Sequence, residues 1–342
     1  MSQRETAEPA GRPASVSIIV PMLNEAEHVE HLVADVASQD YAGFVELIVA
    51  DGGSDDESVE LLERAAAEHS VPLTLVRNPA RWVSPGLNGC LERARGDVIV
   101  RMDCHAHYPP DYVTRCVTLL RQSGAWNVGG MLVAVGRTKT ERAVACAMET
   151  PFGGIGWTRH GAGPEPVEVD TVTFGAFPRS VFERVGRFDE QLVRNQDNDL
   201  NARIRLVGGR ILLDPAIRVE YVPRGTYRRL FRQYYEYGLW KGRVSAKHGR
   251  VLNVRSVVPL AFVASVVGLG CLAPASGTAR KLLAGEAIAY GLSCAAFSLF
   301  GISRRREPLG LAPRVAAVFP VFHVAHGLGM FRALLDRVST SR

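Results

Sequence analysis

Carboxylate and amide side chains follow three apolar segments of this chain, each where the segment ends. Asn24 and Glu25 follow the run VSIIVPML, Asp51 ends the run FVELIVAD, and Asp103 ends the run DVIVRMD. Nearly continuous apolar runs of this length are typical of strands buried in a parallel sheet. Such sheets bind ligands beyond the carboxyl ends of their strands. These side chains are therefore candidates to hold a polar ligand at one edge of a sheet.

A second acidic segment, NQDNDLNARIRLVGG, begins with acids and ends as a helix at Gly208 and Gly209. A carboxylate such as Asp197 can act as a general base when it lies beside a reacting hydroxyl. The same residue types also stabilise the first turn of a helix, where negative charge is favoured. Both interpretations stay open for Asp197. Asp199 and Arg203 are expected near it on the helix as structural support, and helix capping is the alternative for Asp199.

The elements that must position these residues alternate between strand and helix. Val29, Leu32, Val33 and Val36 have helical spacing after the first strand, and SVELLERAAAEH follows the second. Later strands are predicted at residues 73–78 and 97–103, then further strands with a small helix at 127–136 and 169–182, and a strand pair at 210–222. The alternation predicts an α/β fold with a doubly wound sheet.

Composition restricts the class of partner. The chain has 342 residues, 47% apolar residues and a formal net charge of +5. Its arginines gather at the edges of apolar stretches, which suits anionic lipid headgroups better than a nucleic-acid groove. The six cysteines form no C-x-x-C pair, so we expect reduced, mostly buried thiols and no nucleic-acid partner.

The last third of the chain contains three uncharged stretches, at residues 256–279, 287–303 and 315–331. The first is long enough to span a bilayer, whereas the other two, at 17 residues each, are marginal. A basic aromatic helix over residues 227–244 precedes them and suits a membrane interface. We predict a membrane region with up to three helices over residues 246–335. The alternative is a soluble helical appendage.

The polar N-terminal segment, residues 1–14, has no apolar run and does not resemble a secretory signal. We expect it to be a disordered tail. The catalytic part is therefore predicted to lie in the cytoplasm, attached to the inner membrane.

Four segments, SIIVPMLNE, LIVADGGSDDES, GDVIVRMDCHA and NQDNDLNARIR, resemble in order and spacing the nucleotide-sugar domain of glycosyltransferase family 2. The resemblance covers roughly residues 15–245, the extent of the predicted catalytic domain. It implies the GT-A fold, one α/β domain that binds a nucleotide-diphosphate sugar and a divalent cation.

By position in these motifs, the resemblance implies a donor pocket at the ends of the first two strands. Pro21, Asn24 and Glu25 would line the nucleotide site, and Asp51 would receive the base or ribose. Gly53, in the turn after Asp51, would allow the backbone to approach the donor closely. The donor is expected to be a UDP-sugar.

Asp103 matches the first acid of the family's D-x-D motif, but the second acid is replaced by His105. The variant resembles exopolysaccharide glycosyltransferases related to the succinoglycan pathway. Imidazole suits Mn²⁺ better than Mg²⁺. Either Asp103, His105 and the diphosphate hold the metal together, which we favour, or His105 only approaches a phosphate.

Asp197 matches the catalytic Asp of the family's Glu-Asp motif, with Gln196 in place of the Glu. An inverting transfer needs one base, while a cation stabilises the diphosphate leaving group. The basic helix does not keep the Q-x-x-R-W motif of processive synthases. From that helix, Arg232 and Lys241 are the candidates to close over the diphosphate.

The sequence thus predicts an inverting glycosyltransferase that serves exopolysaccharide or cell-envelope glycan synthesis. Its acceptor would be lipid-linked or a polysaccharide, and membrane lipids would be further partners. Two alternatives remain. The acceptor is a polyprenyl phosphate itself, or the chain is a catalytically silent membrane protein that binds nucleotide sugars.

Overall fold

A computed structural model describes residues 13–153, 163–249 and 254–340 of the chain. The predicted disordered tail lies outside the described residues up to position 12. All six cysteines are described and free, and all except Cys271 are buried.

Within the described residues, nine strands form one mixed sheet. The strands are β1 (Val16–Met22), β2 (Val45–Asp51), β3 (Leu73–Arg77), β4 (Val98–Arg101), β5 (Ala106–His107), β6 (Asn127–Ala134), β7 (Val167–Glu168), β8 (Ala176–Pro178) and β9 (Ile211–Tyr221). Their order is β3-β2-β1-β4-β8-β6-β9-β5, with β7 paired to β9. Strands β1 to β4 are mutually parallel, whereas β8 runs antiparallel to both of its neighbours.

Helices cover both faces of this sheet. They are α1 (Val29–Ala37), α2 (Ser58–Glu68), α3 (Val83–Arg93), α4 (Tyr112–Ser123), α5 (Lys139–Met148), α6 (Ser180–Val185), α7 (Gln196–Leu206) and α8 (Tyr227–Lys247). In β1, Ile18 belongs to the core that contains Leu32 of α1, while Ile19 belongs to the core that contains Leu87 of α3. A strand alternates its side chains between the two faces, so burial on both sides explains the uninterrupted apolar run. The predicted α/β fold is confirmed.

Two local predictions were wrong. The predicted strand pair over residues 210–222 is a single strand, β9. Its register against β6 shifts between Gly130 and Met131, which pair with Asp214 and Arg218. Pro215 lies in this bulge, where its missing N–H costs no ladder hydrogen bond. The predicted strand over residues 169–182 is reduced to the three residues of β8, whereas the small helix expected with these strands is present as α6.

Three helices follow the sheet: α9 (Val258–Leu272), α10 (Gly277–Arg305) and α11 (Ala312–Thr340). With their short 3-10 extensions, all three are long and apolar enough to cross a membrane. Only 6% and 11% of the apolar windows of the first two are buried, against 44% for the third. Exposed Val267, Ile288 and Leu292 lie on α9 and α10. Such surfaces require an apolar environment, so the predicted membrane helices are supported.

The third helix is packed tightly against α8 through glycines. A Cβ atom on Gly329 would lie 2.0 Å from the Tyr235 carbonyl oxygen, and one on Gly238 would lie 2.1 Å from the His326 carbonyl oxygen. Only glycine allows the two helix backbones to approach this closely. The α/β domain and the membrane helices are therefore joined through the α8–α11 contact.

Candidate active site

The turn after β2 folds around the carboxylate of Asp51. Its Oδ2 accepts a hydrogen bond from the Gly53 N–H at 3.0 Å, and its Oδ1 accepts bonds from the Ser54 N–H and hydroxyl at 3.1 and 2.7 Å. Gly53 has a φ of +77°, a conformation that glycine adopts without strain. The turn therefore holds the Asp51 carboxylate in place at the carboxyl end of the strand.

The loop after β1 is tied to this turn. Asn24 donates its backbone N–H to the Ser54 hydroxyl at 2.9 Å, and its side-chain amide donates to Asp55 at 2.7 Å. Glu25 donates its backbone N–H to the Ser58 hydroxyl at 2.7 Å, while Pro21 pairs with Ala50 within the sheet. The structure thus brings together Pro21, Asn24, Glu25, Asp51 and Gly53, as the sequence predicted, at neighbouring strand ends. Their role as donor ligands remains a prediction.

Arg101, at the end of β4, contacts two of the acids that the sequence singled out, Asp103 and Asp197. Its guanidinium contacts the Asp103 carboxylate at 3.0 and 3.3 Å and also pairs directly with the Asp197 carboxylate. The Arg101 side chain is only 6% exposed, whereas Asp103 and Asp197 are 16% and 22% exposed. The two carboxylates are therefore more exposed to solvent than the Arg101 guanidinium that they contact.

Burial disfavours the charged form of Arg101, but the charges of Asp103 and Asp197 outweigh it and raise the pKa of the guanidinium. The backbone of Asp103 is held separately, since its N–H donates to the hydroxyl of buried Tyr108 at 2.8 Å. Arg101 also stands over the ring of Phe174, with 5.6 Å between the guanidinium carbon and the ring centroid. The three charged groups are thus fixed by several independent contacts.

The segment that carries Asp197 is anchored to α8. Asn195, with a φ of +61°, precedes α7 and donates its side-chain amide to the Tyr237 carbonyl at 3.3 Å. Arg194 pairs with Glu236 at 2.6 Å. Asp197 lies in the first turn of α7, where the helix end favours negative charge. Asp197 therefore does lie at the start of a helix, as one interpretation predicted. This position is compatible with a catalytic role.

In the same first turn of α7, the fully buried Asp199 accepts bonds from Arg203, Lys247 and His248 at 2.9, 2.7 and 2.9 Å. Burial alone would raise the pKa of Asp199, but these cationic and hydrogen-bonding partners lower it overall. Asp199 thereby links α7 to the end of α8. It supports the position of Asp197, as the sequence suggested.

The donor set at this edge fits a divalent cation that is shared with an anionic ligand. His105 Nδ1 lies 3.6 Å from Glu25 Oε1, and that carboxylate is the main cause of a raised pKa for His105. Among the described residues, no three His, Cys, Asp or Glu side chains are arranged as a complete metal site. Asp103 and His105 supply oxygen and nitrogen donors, so the remaining ligands would come from a diphosphate.

Arg232 and Lys241 both lie on α8. Arg232 is exposed and, five residues before Tyr237, lies roughly 140° around α8 from it. Lys241 is near enough to His326 of α11 for the two to interact electrostatically. A cation that the sequence did not single out, Arg224, acts electrostatically on both His105 and Tyr237. The roles of Arg232 and Lys241 in donor binding remain predictions.

Sequence reasoning missed Arg101. Its signal was present, since a charged residue in the apolar run VIVRMD is unusual for a strand buried on both faces. Its partner Asp197 could not be read from the sequence, because the two residues are 96 positions apart.

Residues 17–186 match the family described as Glycosyl transferase family 2. Together with the α/β sheet and the acids at its strand ends, this match establishes the class of protein. The chain carries a family 2 glycosyltransferase domain of the GT-A fold and is a glycosyltransferase.

Over nearly its whole length the chain is similar to the succinoglycan biosynthesis protein ExoA of Rhizobium meliloti (strain 1021). The two are 29% identical over 321 residues, which cover 93% of this chain and 94% of that protein. A shorter similarity, 36% identity over 107 residues, relates it to undecaprenyl-phosphate 4-deoxy-4-formamido-L-arabinose transferase of Pseudomonas fluorescens (strain SBW25). That match covers 30% of this chain and 31% of the relative.

Among solved structures, the fold is shared with the mannosyltransferase PcManGT from Pyrobaculum calidifontis, determined in complex with GDP-Man and Mn²⁺. The TM-score is 0.66 at 22% sequence identity, and the match covers 97% of this chain and 90% of that one. The likeness extends through the C-terminal helices, so the whole architecture occurs in another glycosyltransferase.

Proposed function

We propose that this glycosyltransferase transfers a sugar, with inversion, from a UDP-sugar to a lipid-linked or polysaccharide acceptor in exopolysaccharide or cell-envelope glycan synthesis. The observation that carries the proposal is the grouping of Asp51, Asp103 and Asp197 at one sheet edge. That edge belongs to a chain whose exposed apolar helices suit a bilayer. Similarity to a succinoglycan biosynthesis protein over most of both chains favours this class of product.

The donor would lie across the ends of β2, β1 and β4. Asp51 would accept hydrogen bonds from the ribose or base, and Asn24, Glu25 and Pro21 would form the adjoining wall. Gly53 has no side chain, so the donor can approach its backbone closely. Any other residue would be strained at its φ of +77°.

Asp103 and His105 would hold a divalent cation, Mn²⁺ or Mg²⁺, at the diphosphate. When bound, the cation neutralises the negative charge that develops on the leaving diphosphate. The Mn²⁺ in the PcManGT complex supports a divalent ion for this fold. A cation at this position removes the need for a protein acid to protonate the leaving group.

Asp197 would act as the general base. Its carboxylate takes the proton of the acceptor hydroxyl while the oxygen forms a bond to the anomeric carbon and the bond to the diphosphate breaks. The proton stays on Asp197 until the product leaves. A single displacement of this kind inverts the anomeric configuration.

The exposed apolar helices support attachment to a membrane. Anchored through α9 to α11, the catalytic domain would act at the cytoplasmic face of the inner membrane, where a lipid-linked acceptor is held. The boundaries proposed for the two parts are residues 15–245 and 246–335. The first contains the whole of the matched family domain.

The test is transfer by the full-length protein in nanodiscs, with a panel of UDP-sugars, Mn²⁺ and a polyprenyl-diphosphate-linked glycan. The expected result is a longer glycan whose new linkage has the anomeric configuration opposite to that of the donor by NMR. A retained configuration would refute inversion. Transfer from another nucleotide sugar alone would refute the UDP assignment.

A second candidate function is supported by the similarity to an undecaprenyl-phosphate sugar transferase. In that case the acceptor would be the carrier phosphate itself. The same nanodiscs, supplied with undecaprenyl phosphate and no glycan, would then yield a carrier-monophosphate sugar. A catalytically silent protein would bind the donor tightly and turn over neither acceptor.

A further inference from the structure

One buried cation connects the two halves of the candidate site. Arg101 Nη2 contacts both oxygens of Asp103, the residue on the donor side, and Nη1 contacts Asp197, the residue on the acceptor side. The two acids come from different elements, a loop after β4 and the first turn of α7. The guanidinium fork is a rigid, planar group, so one side chain sets the position of both carboxylates.

Arg101 is held in place by its surroundings. The Arg101 backbone N–H donates to the Gly175 carbonyl at 2.9 Å, and the residue pairs with Ile19 of β1 in the sheet. Phe174 packs against the guanidinium while adopting a φ of +55°, an uncommon conformation for an aromatic residue. Arg101 Nε is buried and has no hydrogen-bond partner in the described structure. The side chain is therefore held by its contacts to the acids and the ring, and its backbone is part of the sheet.

We propose that Arg101 is a positioning residue that holds the base Asp197 at a fixed distance from the donor-side Asp103. Sugar transfer requires the acceptor hydroxyl to meet the anomeric carbon with both reactants aligned, and misplacement by about 1 Å can cost about 10²-fold in rate. Arg101 would act only through the two acids. This inference rests on the proposed roles of Asp103 and Asp197.

A purely structural role makes a different prediction. If Arg101 only stabilises the fold, its substitution lowers kcat by the same factor in the wild type and in the Asp197→Asn variant. A positioning residue that acts through Asp197 loses its effect once Asp197 has been replaced. The two roles are therefore separated by the non-additivity of substitutions at the two positions.

The experiment measures kcat and donor affinity for full-length Arg101→Gln, Arg101→Lys, Asp197→Asn and the Arg101→Gln/Asp197→Asn double variant. Arg101→Gln is expected to lower kcat by about 10²-fold. In the Asp197→Asn background the same change should cost less than about threefold. Arg101→Lys keeps the charge but cannot span both carboxylates, so its kcat should fall by about tenfold.

Arg95→Gln is the matched control. It breaks an arginine contact to a buried acid, Glu46, at the opposite end of the parallel strands, and should leave kcat within about twofold of wild type. Wild-type kcat in Arg101→Lys, or a full additional loss from Arg101→Gln in the Asp197→Asn background, would overturn the proposal. Should Arg101→Gln not fold, Arg101→Lys decides alone. If the wild type is active and either of the two contradicting results is found, only the role of Arg101 is refuted. An inactive wild type refutes the proposed function.

Discussion

At the scale of single residues, the proposed mechanism divides two tasks between two carboxylates that both contact the Arg101 guanidinium. Asp103 would serve the donor together with His105, and Asp197, at the start of α7, would serve the acceptor. Asp51 is engaged by its own turn instead of by Arg101. Substitutions at these acids should therefore affect donor affinity and transfer rate in different proportions.

Asp197→Asn is expected to leave donor affinity nearly unchanged and to lower the transfer rate by about 10²–10⁴-fold, the usual effect of losing a positioned base. Asp103→Asn should weaken donor and metal binding as well as turnover. If Asp197 only stabilised the helix start, Asn would replace it with little effect. Donor affinity by calorimetry and the transfer rate, measured on both variants, distinguish these outcomes. A wild-type rate for Asp197→Asn would end its assignment as the base.

Metal dependence is the second prediction at this scale. Excess chelator should abolish transfer, and Mn²⁺ should restore it at least as well as Mg²⁺, because imidazole suits Mn²⁺ better. His105→Asp should shift the preference toward Mg²⁺ by supplying an oxygen ligand. Activation curves for both ions, on wild type and variant, provide the measurement. Full activity in chelator would remove both Asp103 and His105 from a metal site.

At the scale of elements, a buried ionic cluster ties α7, the helix that carries Asp197, to α8. Asp199 of α7 is fully buried, and its partners in α8 and just beyond, Lys247 and His248, tie the two helices together. Lys247 also contacts Asp189 at 2.7 Å. The cluster links the part of the chain before α7 with the end of α8.

Asp199→Asn is expected to destabilise the protein by about 3 kcal/mol at pH 7, because it leaves cationic partners without their buried counter-charge. The folded-state pKa of Asp199 is lowered, so its contribution is present above the ordinary Asp pKa of about 3.9 and is lost as pH falls through the folded value. The stability difference between wild type and variant should therefore shrink only under strongly acidic conditions. Urea unfolding in detergent at pH 7 and below pH 4 tests this. An unchanged midpoint at pH 7 would contradict it.

The α8–α11 contact is the second prediction at the scale of elements. Gly329→Ala places a methyl group against the Tyr235 backbone, which cannot move without separating the helices, and should cost about 1–3 kcal/mol. Gly268→Ala in α9 is the matched control, since a Cβ there meets nothing within 4 Å. The control should be neutral or slightly stabilising in thermal unfolding. Equal effects of the two substitutions would refute close packing at Gly329.

At the scale of the whole molecule, the catalytic domain and the membrane helices share a core. Ala143 and Cys146 of α5 pack in one cluster with Leu230 of α8 and with Phe319 and Phe322 of α11. This shared core explains why α11 is far more buried than α9 and α10. The active site is thereby held at a fixed height relative to the apolar helices.

The full-length protein is expected to sediment with membranes, because the exposed faces of α9 and α10 need an apolar environment. Proteolysis of inverted membrane vesicles should digest residues 1–250, whereas intact spheroplasts should protect them. Recovery of the full chain in the soluble fraction without detergent would refute membrane attachment. Digestion only in intact spheroplasts would place the catalytic domain outside.

The sequence by itself determined the α/β class and the edge of the sheet at which the acids lie. Both follow from local patterns: a strand buried on two faces must be apolar throughout, and polar residues end such a run because they cannot continue it. Tertiary structure decided the rest. Arg101 meets Asp197 across 96 residues, Pro215 becomes a bulge in one strand instead of the turn of a pair, and Gly329 matters because the Tyr235 backbone lies against it. These features depend on which distant segments pack together, and neither hydrophobic spacing nor residue type specifies the partner of a given side chain.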